Sequence, residues 1–284
     1  MAVFALTLVA SLVLAPAALA NFILPKSGGS PNADQIASLY KIILYVAAVV
    51  FVIVEGALAY SVYKFRQHKS PVAAQIHGNT RLEIGWTVAA ALILVVLTTV
   101  TFIKLPSIIN PPNSDANGFL AASLSPPKPP NGKKFTVCVT GRQYIWRYTY
   151  GAECTNNAFN SHLPYSYQEM VVPANTTIEL VIQSTDVIHS WWVPSLGGKV
   201  DAVPGYTTFT WFKAPKGSTP GNPVIYHGQC SQLCGRNHAA MTALVKVIPA
   251  DQYAAWLQDQ SAKIQAANQQ VTVLRQILHN SGNL

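Results

Sequence analysis

Charged side chains are scarce in this sequence, and acidic ones are the scarcest. Only 11% of the 284 residues are charged, 19 Lys and Arg outnumber 11 Asp and Glu, and 50% of the residues are hydrophobic. This composition is typical of a membrane protein that carries one domain outside the bilayer. The sequence also lacks an internal repeat. It contains no Cys-x-x-Cys-His motif, so the chain is not expected to attach a c-type haem. We expect lipid and protein partners and no nucleic acid.

Basic residues are missing from the N-terminus, where the first is Lys26. Residues 1–20 nevertheless form an apolar run that ends in Ala18-Leu19-Ala20, and such a small-x-small ending is typical of a signal-peptidase site. Pro16 interrupts the run, which favours a cleaved signal peptide over a third membrane span. We therefore predict a signal peptide over residues 1–20.

Two later hydrophobic runs are long enough to cross a bilayer, which takes about 20 apolar residues. They extend from Ile42 to Tyr63 and from Ile84 to Ile103, and they predict a two-helix transmembrane hairpin over residues 35–105. The loop between them carries one acidic residue, Glu83, against four basic ones: Lys64, Arg66, Lys69 and Arg81. Because basic loops favour the cytoplasmic side, both flanking segments should lie outside. In a bacterial cell the hairpin would lie in the inner membrane, with the C-terminal domain on the periplasmic side.

The C-terminal half reads as a separate β domain. Residues 106–134 are rich in Pro, Asn and Ser and predict a linker. Beyond the linker, period-2 alternation predicts strands near residues 135–139, 144–150, 177–182, 207–212 and 242–247. Short strands between Pro and Gly turns predict a β-sandwich over residues 135–250, so the whole chain is a membrane-anchored α + β protein. A helical tail is expected over residues 251–284, ending near His279.

The soft metal ligands of the chain are concentrated near its C-terminal end. Cys230, Cys234, His238 and Met241 follow the spacing Cys-x3-Cys-x3-His-x2-Met, and His189 lies upstream. Thiolate, imidazole and thioether groups are ligands that copper prefers. A single-copper electron-transfer site needs only one cysteine, so the second thiolate favours a two-copper cluster. The alternative is a disulfide, which exported cysteines usually form, but it leaves the spacing of the other ligands unexplained.

This pattern, with Asp186-Val187-Ile188-His189-Ser190-Trp191 and the two spans, resembles cytochrome c oxidase subunit II and its binuclear copper (CuA) centre. The resemblance implies a cupredoxin-like Greek-key domain in which Cys230 and Cys234 bridge two copper ions. One copper ion would also bind His189 and Met241, and the other His238 and the carbonyl oxygen of Gln232. The family usually has Glu in place of Gln232, so the magnesium site at the subunit interface lacks that carboxylate here.

The resemblance also implies a function. The chain would accept electrons from a cytochrome c or another small redox protein and pass them to the haem of subunit I, for oxygen reduction coupled to proton pumping. Subunit III is a further expected partner. A quinol-oxidase-type subunit II, which lacks the copper ligands, and a membrane-anchored copper electron carrier are the alternatives.

Three further residues have roles implied by the resemblance. Tyr144 stands where the family has the tryptophan that receives the electron, and Trp146 matches the second tryptophan of that segment; a structural aromatic strand is the alternative. Glu83, three residues before Trp86, resembles the start of a proton channel shared with subunit I. The alternative for Glu83 is an ordinary carboxylate in the headgroup layer.

The remaining two cysteines, Cys138 and Cys154, flank the predicted strand pair around Tyr144 and have no histidine at metal-ligand spacing. Because they face an oxidising compartment, we predict a disulfide between them. Glu55 lies inside the first span, where a carboxylate is costly, and we expect it to pack against subunit I in a protonated or hydrogen-bonded form.

The charge balance of the outer domain bears on its redox partner. From residue 105 onward the chain has twelve Lys and Arg and eight Asp and Glu. Because opposite potentials steer protein encounters, this balance predicts a donor that is neutral or acidic, or an encounter with little electrostatic steering.

Overall fold

A computed structural model describes residues 24–66, 75, 77–111, 135–151, 154, 163–216, 219 and 221–281. The expected signal peptide lies outside these residues, as does most of the expected linker. The chain divides into two compact units. Residues Ala37–Leu105 belong to a helical unit, and Pro25–Ile36 together with Pro106–Leu284 belong to a β unit.

In the part of the chain that the structure describes, the helical unit is built from two long helices, α1 (Pro31–Lys64) and α2 (Thr80–Ile109). The start of α1 and the last turn of α2 belong to the β unit. Both contain a stretch that is long and apolar enough to cross a membrane, and both predicted spans lie within them. Helix α2 ends at Ile109, so the first four residues of the expected linker are helical. Glu55 lies in an apolar groove of about 420 Å³ that α2 lines with Ile93 and Leu97.

Within the described residues, the β unit is a sandwich of two five-stranded sheets. The strands are β1 (Thr136–Arg142), β2 (Ile145–Tyr150), β3 (Tyr165–Tyr167), β4 (Glu169–Pro173), β5 (Thr177–Ser184), β6 (His189–Trp192), β7 (Val200–Ala202), β8 (Thr208–Lys213), β9 (Val224–Cys230) and β10 (Thr242–Ile248). One sheet has the order β3-β2-β1-β5-β8 and the other β4-β10-β9-β6-β7. Strand β1 pairs parallel with β5, and β10 pairs parallel with β4, whereas the other pairs are antiparallel.

Large apolar side chains from both sheets fill the space between them. Val137, Val139, Leu180, Ile182 and Met170 are fully buried there. Period-2 alternation places every second side chain of a strand on the same face, which is why five strands were recognisable from sequence. These are β1, β2, β5, β8 and β10, whereas β3, β4, β6, β7 and β9 were not predicted because they are short, continuously apolar, or interrupted by Gly and His.

The C-terminal helix α3 (Ala250–Asn280) follows the last strand, close to the expected bounds. Its first turns contact the first sheet through aromatic edges: the ring of Tyr253 lies 5.2 Å from that of Phe135, and the ring of Trp256 lies 5.1 Å from that of Tyr150. The amide of Gln260 donates to the carbonyl of Tyr165. These contacts hold the N-terminal half of α3 against the sandwich.

A disulfide joins Cys138 on β1 to Cys154, which are separated by 16 residues. We expect a Cys138→Ala/Cys154→Ala double variant to lose about 3 kcal/mol of unfolding free energy, because a crosslink that closes a loop of this size restricts the unfolded chain. Urea unfolding of the full chain in detergent, followed by tryptophan fluorescence, measures the loss. A reductant should lower the midpoint of the wild type to that of the variant and leave the variant unchanged. Equal midpoints without reductant would contradict the prediction.

Candidate metal centre

One end of the second sheet brings together segments that are far apart in sequence. Strand β6 begins at His189 and β9 ends at Cys230, and these strands pair in a register that sets Trp191 opposite Cys230. The loop after β9 returns through a short 3-10 turn to Met241, whose carbonyl accepts a hydrogen bond from the Cys230 N–H at 2.9 Å. Sheet pairing therefore places the upstream histidine beside the ligand loop.

The side chains of these segments form one continuous cluster of sulfur and nitrogen donors. The two thiol sulfurs of Cys230 and Cys234 lie 3.9 Å apart and are not joined. His189 Nδ1 lies 3.9 Å from Cys230 Sγ, and Cys234 Sγ lies 3.5 Å from His238 Nδ1 and 3.9 Å from Met241 Sδ. The donors of His189, Cys230 and Cys234 all lie within 4.8 Å of one another and are buried. These three residues can hold a metal ion.

Gln232 contributes its backbone rather than its side chain to this cluster. Its carbonyl oxygen lies 3.3 Å from Cys230 Sγ, and the residue itself is exposed. All six residues expected as metal ligands are therefore adjacent in space.

Neighbouring groups shift the pKa values of the Cys230 and Cys234 thiols in opposite directions. Burial by itself raises the pKa of Cys230, but hydrogen bonds with His189, with the backbone of Ser190 and Gln232, and with His238 outweigh burial and lower it to about 6. Burial raises the pKa of Cys234, and the negative charge of Cys230 raises it further, to about 11. One thiolate therefore forms readily, and the second needs a positive charge beside it. A bound cation would supply that charge.

Asp186 orients His189, although the sequence did not single it out. Its Oδ1 lies 2.8 Å from His189 Nε2 and accepts the Val187 N–H at 2.7 Å, while its Oδ2 accepts the Gln143 N–H at 2.7 Å. Burial opposes ionisation of Asp186, yet these hydrogen bonds keep the pKa of its carboxyl below the usual value. A carboxylate on Nε2 leaves Nδ1 free to bind a metal ion. The available signal was an Asp three residues before the ligand histidine.

Trp146 and Tyr144, the two aromatic residues expected to receive the electron, differ in how deeply they are buried. Trp146 is fully buried and packs edge-to-face against the His189 ring, with 5.8 Å between ring centroids. Tyr144 is half-buried, and its hydroxyl accepts the Arg236 N–H at 3.0 Å. Beside it, the Gln143 amide donates to the Cys234 carbonyl at 2.7 Å, a contact that the sequence did not suggest.

Glu83 belongs to the helical unit, where it participates in the N-terminal cap of α2. Its carboxylate accepts the Asn79 N–H at 3.2 Å, and the Asn79 side chain accepts the Leu82 N–H at 3.2 Å. This reciprocal arrangement satisfies backbone donors that a helix start leaves unpaired.

Comparisons with known proteins cover both units. The family model described as cytochrome c oxidase subunit II, periplasmic domain, matches residues 135–248, and the model of the transmembrane domain matches residues 17–104. Cytochrome c oxidase subunit 2 of Cereibacter sphaeroides is 33% identical over 275 residues, covering 82% of this chain and 81% of that protein. The protein of the same name from Alkalihalophilus pseudofirmus is 30% identical over 237 residues, covering 83% of this chain and 61% of that protein. The crystal structure of the periplasmic domain of cytochrome oxidase subunit II from Bradyrhizobium japonicum is 31% identical, with a TM-score of 0.39, and covers 45% of this chain and 94% of that one.

Proposed function

Because this chain belongs to the cytochrome c oxidase subunit II family, we propose that it is the electron-accepting subunit of a respiratory haem–copper oxidase. It takes electrons from a cytochrome c or another small redox protein at a binuclear copper centre and passes them to the haem of subunit I. The cluster of two free thiols, two imidazoles, a thioether and a carbonyl, contributed by the start of β6 and the loop after β9, carries this proposal.

The donor set fits a pair of copper ions better than a single ion. Soft sulfur and imidazole donors favour copper, and two separate thiols 3.9 Å apart provide two bridging atoms. Cys230 and Cys234 would bridge, His189 and Met241 would complete one side, and His238 with the Gln232 carbonyl would complete the other. When bound, the copper pair would share one electron between its two ions.

The protein residues fix the surroundings of that centre. His189 and Met241 are fully buried, so water is kept from their side of the cluster. Asp186 holds the His189 ring, and Gln143 holds the backbone of Cys234. A ligand shell held in place by its neighbours needs little rearrangement when its charge changes. Gln232 lacks a carboxylate, so we propose that no magnesium ion is bound through this side chain.

The alternatives account for fewer of these residues. A quinol-oxidase-type subunit II needs no copper ligands, whereas this chain gathers six of them. A free-standing copper carrier needs no helical hairpin of the oxidase family, whereas the transmembrane family model matches residues 17–104. The oxidase subunit therefore explains both units.

Metal analysis of the full chain in detergent tests the proposal. We expect about two copper ions per chain, as the paired soft donors favour, and an electron resonance spectrum in which one unpaired electron couples equally to two copper nuclei. A Met241→Leu variant is the matched control, because it removes one weak ligand while both thiols remain. One copper ion per chain in fully loaded wild-type protein, or a disulfide between Cys230 and Cys234, would contradict the proposal.

The chain is membrane-anchored through its helical hairpin. We propose that it lies in the bacterial inner membrane beside subunits I and III, with the copper domain on the periplasmic side. The basic residues of the loop between α1 and α2 support this orientation. Protease added outside intact spheroplasts should cleave the copper domain. If the copper domain is instead protected from this protease, it lies on the cytoplasmic side and the proposed topology is wrong.

We further propose that Glu83 is where protons are taken up from the cytoplasm. Its acceptor oxygen already caps α2, so Glu83→Gln preserves an oxygen at the cap and removes the carboxyl group that can bind and release a proton. We expect slower turnover of the purified complex with unchanged helix content, and Asn79→Asp as control should leave turnover intact. Unchanged turnover in Glu83→Gln would reduce this residue to a helix cap.

We also propose that Glu55 contacts subunit I within the membrane. The carboxylate lies in an otherwise apolar groove of the helical unit, and an intramembrane carboxylate normally faces protein or water. Glu55→Gln complexes should pump fewer protons or assemble less completely. Normal assembly and pumping would contradict this contact.

Tyr144 and Trp146 are proposed to receive the electron. Tyr144 links the surface to the ligand loop through its hydrogen bond with Arg236, and the buried Trp146 packs against His189. Tyr144→Leu should slow electron uptake from the donor while the copper spectrum stays unchanged. Equal uptake rates in Tyr144→Leu and wild type would place the route elsewhere.

Asp186→Asn should weaken copper retention by roughly 10–100-fold, the usual effect of losing a residue that holds a metal ligand. The amide keeps one acceptor oxygen but loses the charge and the second acceptor, on which the Gln143 N–H depends. The rate of copper loss to a chelator, with the reduction potential of the centre, measures the effect. Asp201→Asn, an exposed carboxylate on β7, is the control. Identical copper retention in the two variants would leave Asp186 without a positioning role.

A further inference from the structure

Three loops meet around Tyr144 at the end of the sandwich that carries the copper ligands. They are the β1–β2 turn, the segment between β5 and β6, and the ligand loop after β9. The Gln143 N–H reaches Asp186 in the second loop at 2.7 Å, and the Arg236 N–H of the third loop reaches the Tyr144 hydroxyl at 3.0 Å. Arg236 lies two residues from both Cys234 and His238. A protein that contacts Tyr144 therefore also meets Arg236.

The charges of these loops are unequally available to a partner. Across residues 141–144, 185–188 and 231–241, all of which the structure describes, the carboxylates and cations are Arg142, Asp186 and Arg236. Both oxygens of Asp186 accept protein hydrogen bonds, and the side chain is only 24% exposed. Arg236 uses its backbone N–H for Tyr144, and the residue is exposed. The positive charge faces solvent, whereas the negative charge faces the protein.

Exposed apolar side chains lie in the segment between β5 and β6, which contacts the β1–β2 turn through Asp186. Val187 is 37% exposed and Ile188 is 46% exposed, and both follow Asp186 directly. A small apolar surface, together with an exposed positive charge on a neighbouring loop, suits a transient redox encounter, in which electrostatics set the association rate.

We propose that this surface docks an electron donor whose own surface around its redox centre is acidic, and that Arg236 selects for that charge. The proposal rests on the proposed function, since it names the partner class of the same centre. A donor with a basic surface would meet Arg236 with like charge and associate more slowly. Only Gly235 separates Arg236 from Cys234 in sequence, so the selecting charge is adjacent to the acceptor.

Stopped-flow reduction of the full copper-loaded complex by two forms of one cytochrome tests this assignment. The probes are a basic mitochondrial-type cytochrome c and the same protein with succinylated lysines, which inverts its surface charge while keeping its haem. The variants are Arg236→Gln and Arg236→Glu. Lys216→Gln is the matched control, because it removes one exposed positive charge beyond β8, at the opposite end of the sandwich from Ser184 and the ligands.

The succinylated cytochrome should reduce the wild type faster than the basic one, and its rate should fall as salt rises. Arg236→Glu should slow the succinylated form by about three- to tenfold and speed the basic form, with Arg236→Gln intermediate and Lys216→Gln unchanged. Faster reduction by the basic form, with a rate that falls steeply with salt, would overturn the proposal. Reduction rates that are the same in the wild type and in both Arg236 variants would also overturn it. Copper content and spectrum are recorded on the same samples. A complex that holds copper yet accepts no electrons from either form would instead contradict the proposed function.

Discussion

A Cys234→Ser variant of the full chain is expected to bind no binuclear copper and to accept no electrons at a measurable rate. Cys234 Sγ is central to the cluster, within 3.9 Å of the Cys230 sulfur, the His238 ring nitrogen and the Met241 sulfur. Serine presents a hard oxygen that copper prefers less and that does not ionise near neutral pH. Losing a residue that merely holds a ligand costs about 10–100-fold in metal affinity, so losing Cys234, which we propose as a ligand shared by two copper ions, should cost more than about 100-fold.

Copper content, absorbance and single-turnover reduction of the purified chain measure this effect. Leu233→Ser is the matched control, because Leu233 is the neighbouring loop residue and its side chain is 77% exposed. The control should retain both copper ions and the electron-uptake rate of the wild type. If Cys234→Ser kept a two-copper spectrum, the bridging arrangement would be wrong.

The second large effect is expected at Gly228, in the middle of β9. A Cβ there would lie 2.3 Å from the Trp192 carbonyl oxygen and 2.9 Å from that of Ala243, the backbone of the two strands on either side. Backbone atoms in a sheet move little, so Gly228→Ala must separate the strands that position His189 and Cys230. We expect a loss of about 3 kcal/mol or more in unfolding free energy, at the upper end for overpacking.

Urea unfolding monitored by tryptophan fluorescence, with copper uptake of the folded fraction, checks the prediction. Gly198→Ala is the control, because a Cβ at Gly198 meets its nearest neighbour, Ile36, at an ordinary 3.6 Å. The control should unfold within about 0.5 kcal/mol of the wild type, the usual range away from special positions. A Gly228→Ala variant as stable as this control would show that the sheet accommodates the methyl group.

The sequence predicted the elements whose pattern lies within one segment, and it missed elements that depend on contacts between distant segments. The spans and α3 follow from composition and periodicity along the chain, and both appear in the structure. Strands β1, β5 and β10 were predicted because their alternation is visible within a single segment. Strand β9 was missed because Gly228 and His227 break that alternation, although pairing on both edges makes it a central strand.

The metal centre likewise has parts that one segment shows and parts that depend on contacts between distant segments. Four ligands lie within twelve residues, so their spacing alone indicated copper. The contribution of Asp186 was not recognised in this way, because its other partner, Gln143, lies in the β1–β2 turn, 43 residues away in sequence. The cap formed by Glu83 was likewise outside the prediction, since a sequence does not distinguish a cap from a proton donor.

By itself, the sequence determined the types of donor atom available, the two membrane spans and the presence of a β domain, because composition, spacing and periodicity are properties of short segments. Only the tertiary structure decided which further groups meet around the expected ligands: a carboxylate behind His189, and a tyrosine tied to an arginine backbone. Those contacts depend on strand pairing and sheet packing between distant segments. Their geometry is set by backbone hydrogen bonds that leave no local pattern in the sequence.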